Sequence, residues 1–201
     1  PDPVTSARGT IGGGIGNNSC GSHAVIYGKT LDHRLEVNAV LADGSAVRFD
    51  AAGGQELERR LSLETLEGQL YREVRRIAFQ YRDEVASRFP KILRRVSGYN
   101  LDDFVTDSPM NLTRMIGASE GTLAIFTEAK VNLVPFPKMR GTAAIHFHGL
   151  VESVEATVAI LQHGPSAVEL IGEMIFRNCK TNAGYRHLLD WVQGDPEAMI
   201  F

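Results

Sequence analysis

Apolar positions recur at three- and four-residue spacing through Leu63, Leu66, Leu70, Val74, Ile77 and Tyr81, with arginine and glutamate between them. That period puts one apolar stripe on a helix. Thr65 stands as its cap, Gly68 is a mild weakness, and a second helical piece over about 83–88 stops before Pro90. Before this block, residues 35–41 read as a strand, Asp43-Gly44 as a two-residue hairpin turn and 46–49 as the partner strand. After it come a turn-rich segment (93–102), a short helical stretch (110–116), a buried strand (123–127) and a further strand over 131–134 that Pro135 and Pro137 end. These elements predict an α+β fold: a mixed β-sheet with a helical insertion at about 55–95 between its two halves.

Composition shifts at 135–141, which places a domain boundary there and divides the chain into 1–137 and 138–201. In the second part, 142–147 reads as a strand, 153–161 as a helix, 166–170 as a strand, and a helix follows from about 173. This β-α-β order opens a small two-layer domain whose second half is missing. The start at Pro1-Asp2-Pro3 and the apolar end Met199-Ile200-Phe201 lead to the expectation of a piece of something longer.

The bulk properties narrow the partners. At 201 residues with a net charge of −3, the chain has no global attraction for nucleic acid or anionic lipid. Arginine is dense over 72–95, but Glu73, Asp83 and Glu84 are interleaved and no base-stacking aromatic platform accompanies it, so it reads as a solvated helix face. No apolar run is long enough to cross a membrane, and Cys20 and Cys179 form no paired motif. The cytoplasm is the default compartment.

The chemistry concentrates at 10–28, where Gly12, Gly13, Gly14, Gly16 and Gly21 are interleaved with Asn17, Asn18, Ser19 and Ser22. Glycines able to take positive φ would let several amides point one way and cradle a polar, phosphorylated ligand; a tight multi-turn connection needs the same residues. A dinucleotide fingerprint is excluded: counting from Gly12 its third glycine falls on Asn17, and from Gly14 on Ser19. His146 and His148 share a strand face, but with no third ligand near them they read as ordinary strand histidines and no metal site is expected.

Three segments together resemble the FAD-linked oxidases and dehydrogenases of the vanillyl-alcohol-oxidase type, in the branch of D-lactate dehydrogenase, D-2-hydroxyglutarate dehydrogenase and the glycolate oxidase FAD subunit. They are Thr10-Ile11-Gly12-Gly13 with Asn18-Ser19-Cys20-Gly21 and Tyr27-Gly28; Ser97-Gly98-Tyr99-Asn100-Leu101; and Gly117 to Ile125, in which Ala118 precedes the family's Ser-Glu-Gly-Thr-Leu. The long arginine-rich insertion is most similar to members fused to an iron–sulfur region.

The resemblance implies the second lobe of a PCMH-type FAD-binding domain, followed by the start of a ferredoxin-like cap, or substrate, domain. It implies that Gly12, Gly13, Gly16, Asn18, Ser19, Gly21 and Gly28 line FAD, that Ile125 touches it through its backbone, and that Glu120 and Gly121 shape the neighbouring turn. Tyr99 is either flavin-proximal or a cap on the sheet. Arg140 is either a substrate-carboxylate contact or a surface arginine at a linker. The implied reaction takes two electrons from a small 2-hydroxy acid to the flavin and on to a quinone, cytochrome or fused iron–sulfur acceptor, which could bring the protein to a membrane periphery. The family's upstream pyrophosphate loop and later cap residues find no counterpart here, which leads to the expectation of weak or absent FAD binding, no turnover, and self-association through an exposed seam. The alternative is a non-catalytic binding or scaffold module that keeps the fold.

Overall fold

The computed structural model describes residues 3, 5–33, 36–106 and 109–201 and divides the chain into two units, 1–134 and 135–201. Leu35, the first residue of the expected first strand, lies outside the described residues.

In the first unit, β1 (Glu36–Val40), β2 (Ala46–Phe49) and β3 (Ile125–Lys130) form a sheet in the order β2-β1-β3. Both pairings are antiparallel, so the sheet expected to be mixed is antiparallel among the described residues. The hairpin forms at Asp43-Gly44: Gly44 takes φ 82°, and the Asp43 carboxylate accepts from the Ser45 amide at 2.9 Å. Val37 and Ala39 alternate inward on β1, the central strand. β3 is an edge strand and mostly exposed, which corrects the expected buried strand at 123–127. Residues 131–134, expected as a strand, carry none among the described residues.

The helical insertion is α3 (Gly54–Leu61), α4 (Leu66–Gln80) and α5 (Arg82–Arg88). Leu66, Leu70 and Val74, on the stripe read from the sequence, pack against a core that includes Phe49, Tyr71 and Ala78. Tyr71 meets Phe49 edge-on, with ring centroids 6.2 Å apart. Gly68 is no weakness: a Cβ there would lie 2.1 Å from the Leu63 carbonyl oxygen, so only glycine lets the preceding turn fold against the helix start.

The second unit contains β4 (Ile145–Phe147), α7 (Leu150–Leu161), β5 (Leu170–Gly172), α8 (Glu173–Thr181) and β6 (Ala198–Ile200). Its sheet order is β4-β6-β5 with antiparallel pairings, so β6 slots between the two strands that α7 connects. This is the split β-α-β arrangement. The apolar end of the chain is therefore not a dangling stub: Ala198, Met199 and Ile200 are fully buried as the central strand. Among the described residues, no helix of either unit is long and apolar enough to cross a membrane.

Candidate functional site

The glycine-rich stretch does not form the expected open loop. Ile11–Gly16 is a short helix, α1, capped by Thr10, whose Oγ1 accepts from the Gly13 amide at 3.0 Å. The amides of Gly14, Asn17, Asn18 and Ser19 donate to Thr10, Gly13, Ile15 and Gly14 carbonyls. The anion-cradling nest of left-handed glycines is therefore absent at these positions; within 10–28 only Asn18 (φ 47°) and Gly28 (φ 71°) take positive φ. Glycine serves here by leaving the helix surface bare. A Cβ on Gly12 would meet nothing within 4 Å, while one on Gly16, which is buried, would reach the Phe126 ring at 3.9 Å.

Asn18 turns the chain out of α1. It is fully buried, and its Oδ1 accepts from the Leu31 amide at 3.0 Å. The Ser19 carbonyl accepts from both the amide and the hydroxyl of Thr30. Beyond Gly21, a one-turn helix, α2 (Ala24–Tyr27), ends at Gly28. A Cβ on Gly28 would lie 2.5 Å from Asp32 Oδ2, the oxygen that accepts from the Lys29 amide at 2.7 Å. Burial pushes the Asp32 carboxyl up, but the Lys29 hydrogen bonds and the charges of Lys29 and Arg114 outweigh it and hold Asp32 below its ordinary value.

The 118–121 turn docks on the C-terminal end of α1. Ala118 N–H donates to the Ile15 carbonyl at 3.1 Å and Glu120 N–H to the Gly16 carbonyl at 3.0 Å. Ala118, Glu120 and Gly121 all take positive φ, a costly conformation for the first two. The residue that precedes the family's serine is therefore a buried, left-handed link between the turn and α1. Thr122 closes the turn by donating to the Ser119 carbonyl at 2.6 Å, and the Tyr99 hydroxyl lies 3.0 Å from Thr122 Oγ1. Three segments separated by up to a hundred residues thus meet.

Arg114, from α6 (Thr113–Ile116), ties the segment after Gly28 to the 101–104 segment. It donates to the Leu31 carbonyl at 2.6 Å and pairs with Asp103 at 2.8 Å. Gly117 then packs so closely that a Cβ would lie 2.3 Å from a Leu31 methyl. Sequence reading gave no role to Leu31, Asp32 and Arg114, because Arg114 reaches Leu31, and Asp32 beside it, across 83 residues of sequence and no local pattern records it; Thr10 stands in the quoted motif, but not as the cap of α1.

Of the expected site residues, Gly12, Gly13, Gly16, Asn18, Ser19, Glu120, Gly121 and Tyr99 fall within this constellation. Gly21 adjoins it through the same chain segment, and Gly28 shapes its Asp32 side. Ile125 stands at the start of β3, opposite Val40, with 70% of its surface exposed. Arg140 belongs to the second unit, where its guanidinium lies 5.0 Å over the Phe136 ring. His146 is on β4, whereas His148 lies past the strand end and its amide donates to Glu152. Among the described residues no group of three His, Cys, Asp or Glu side chains could hold a metal ion.

Two polar atoms in the constellation are buried without a partner: Asn18 Nδ2 and Ser119 Oγ. They sit on the two segments that meet at the C-terminal end of α1. Orphaned donors at such a junction fit an acceptor-rich ligand such as a flavin dinucleotide.

The sequence relationships agree with this geometry. Residues 1–50 match the FAD binding domain family. Over 198 residues the chain is 27% identical to the D-2-hydroxyglutarate dehydrogenase of Pseudomonas putida, covering 98% of this chain and 20% of that protein. It is 30% identical over 156 residues to the glycolate oxidase subunit GlcD of Bacillus subtilis (78% of this chain, 22% of the relative). It is 26% identical over 194 residues to the D-lactate dehydrogenase of Archaeoglobus fulgidus (95% and 31%). The chain is thus an α+β segment whose first 50 residues match an FAD-binding domain family, and it is similar to D-2-hydroxyglutarate and D-lactate dehydrogenases and a glycolate oxidase subunit. It spans about a fifth of the length of the D-2-hydroxyglutarate dehydrogenases it matches.

Proposed function

We propose that the chain supplies one lobe of the FAD site, and the opening of the substrate domain, of an FAD-dependent oxidoreductase that oxidises a small 2-hydroxy acid. The observation that carries this is the convergence of the α1 stretch with the 118–121 turn around two unpartnered buried donors. Bound FAD would supply the two-electron chemistry and pass the electrons to an acceptor such as a quinone, a cytochrome or a fused iron–sulfur region. The chain's own residues do the holding. Gly12 and Gly13 leave the helix surface open, and Gly16 lets α1 sit on Phe126. Asn18 and Ser119 offer hydrogen bonds, and Tyr99 braces the turn through Thr122. Arg140 is proposed as a contact for the substrate carboxylate.

The test is an FAD titration, followed by flavin fluorescence, of the 201-residue chain and of a form extended on its N-terminal side by about one domain's worth of residues. Quenching that saturates in either form supports the reading. No binding by either would leave a scaffold that keeps the fold without its cofactor.

Ser119→Ala sharpens the test. The hydroxyl it removes is buried and unpaired, so stability should hold or rise by a few tenths, at most about 1 kcal/mol. FAD affinity should fall about tenfold, roughly 1.4 kcal/mol. A thermal melt beside the titration reads both.

A further inference from the structure

The residues that follow the helical insertion hold three separate parts of the first unit. The Leu93 carbonyl accepts from Lys29 Nζ at 3.2 Å. Arg94 Nη2 donates to the Gly21 carbonyl at 3.0 Å, across 73 residues of sequence. Arg95 pairs with Asp102 and lies 5.0 Å over the Phe89 ring. Consecutive residues thus grip the segment before α2, the segment after α2, and the 101–104 turn that carries Asp103, the partner of Arg114.

The backbone between these grips has local anchors, the Ala24 amide on the Gly21 carbonyl at 2.9 Å and the Lys29 amide on Asp32 at 2.7 Å, while its ties to the end of the insertion run through Arg94 and Lys29. α2 is a single turn with Val25 and Ile26 exposed, and Gly21 and Lys29 flank it. Gly21 is buried and has no side chain; its carbonyl already accepts from the Ala24 amide, and Arg94 adds a second donor to it from far along the chain. Arg94 reaches it with a charged, forked donor, a stronger hydrogen bond than a neutral group gives.

We propose that Leu93-Arg94-Arg95 is a latch by which the helical insertion positions the Gly21–Lys29 segment of the cofactor stretch, with Arg94 as the positioning residue. This rests on the FAD reading for its functional consequence, but the mechanical coupling stands on the contacts alone. The insertion then does more than cover the sheet: displacement of its trailing end would release Gly21 and loosen the stretch that carries Asn18 and Ser19.

The test uses Arg94→Ala and Arg94→Lys in the FAD-binding form, with hydrogen–deuterium exchange of the 19–28 amides and an FAD titration read together. Arg94→Ala should speed exchange across 19–28 about tenfold and weaken FAD by a similar factor, with the melting temperature within about 2 °C of the parent. Arg94→Lys, which keeps a cationic donor, should restore most of both. Unchanged exchange at 19–28 in Arg94→Ala overturns the latch, and weakened FAD binding alongside it would mean that Arg94 touches the cofactor directly. Faster exchange in a protein that binds no FAD supports the latch and removes the FAD reading instead.

Discussion

Arg60→Met should destabilise the first unit by about 2–3 kcal/mol, read as a lower midpoint in urea at unchanged slope. The Arg60 side chain is 8% exposed and donates to the Tyr71 hydroxyl at 2.6 Å, to Glu56 at 2.7 Å and to Asp50. Asp50 and Glu56 reach solvent and can rehydrate when the guanidinium is gone, so they set only a small part of the loss. The larger part is the Tyr71 hydroxyl, which is fully buried and would be left without its donor. Burial pushes the Tyr71 phenol above its ordinary value, against the opposing hydrogen bond and charge of Arg60. The double change Arg60→Met with Tyr71→Phe should therefore recover about 1–2 kcal/mol, since removing both partners costs less than stranding one.

The same cluster adds a small, solvent-screened acid dependence. Hydrogen bonds from Arg59 and then Arg60 hold the Glu56 carboxyl down at about 2, against an ordinary 4.5. A folded-state value below the unfolded one contributes stability that is present above pH 4.5 and lost as pH falls towards 2. The parent's urea midpoint should accordingly fall across that window, and Arg60→Met should fall less steeply because one of the two donors is gone.

The sequence was most legible where local rules and tertiary packing agree. The hairpin at Asp43-Gly44 and the stripe from Leu66 to Val74 formed as read, because turn chemistry and helical period are written in neighbouring residues. Strand burial was less so. Residues 123–127 are apolar enough for a core strand, yet β3 lies on the edge of its sheet, and no local pattern distinguishes edge from centre. β6 shows the converse: three residues near the chain end carry no period, and only pairing on both sides with β4 and β5 makes them a central strand. In the site, motif resemblance found the segments that meet but not how they are built. It placed glycines in a loop that Thr10 instead caps into a helix, and it was silent on Arg114, whose partners lie in two other stretches of the chain, Leu31 with Asp32 and Asp103.

The glycines of the 10–28 stretch divide into two kinds, and substitution should separate them. Gly28→Ala meets two obstacles. Its backbone, at φ 71° and ψ −156°, lies in a region that side chains avoid at a cost of about 1–3 kcal/mol. Its new Cβ would also press on Asp32 Oδ2 at 2.5 Å and drive the carboxylate off the Lys29 amide. The expected result is a loss of about 2–4 kcal/mol in a urea titration, with FAD affinity falling as a consequence of the displaced loop. Gly12→Ala should do the reverse. Its Cβ meets nothing within 4 Å in a helical backbone, so the fold should gain about 0.5–1 kcal/mol. If α1 offers its bare surface to FAD, that same methyl stands where the cofactor lies, and affinity should drop by tenfold or more in a more stable protein. A Gly12→Ala variant that binds FAD as tightly as the parent would move the cofactor off this helix. Gly28 would then remain a structural glycine alone, required by Asp32 whether or not a flavin is bound.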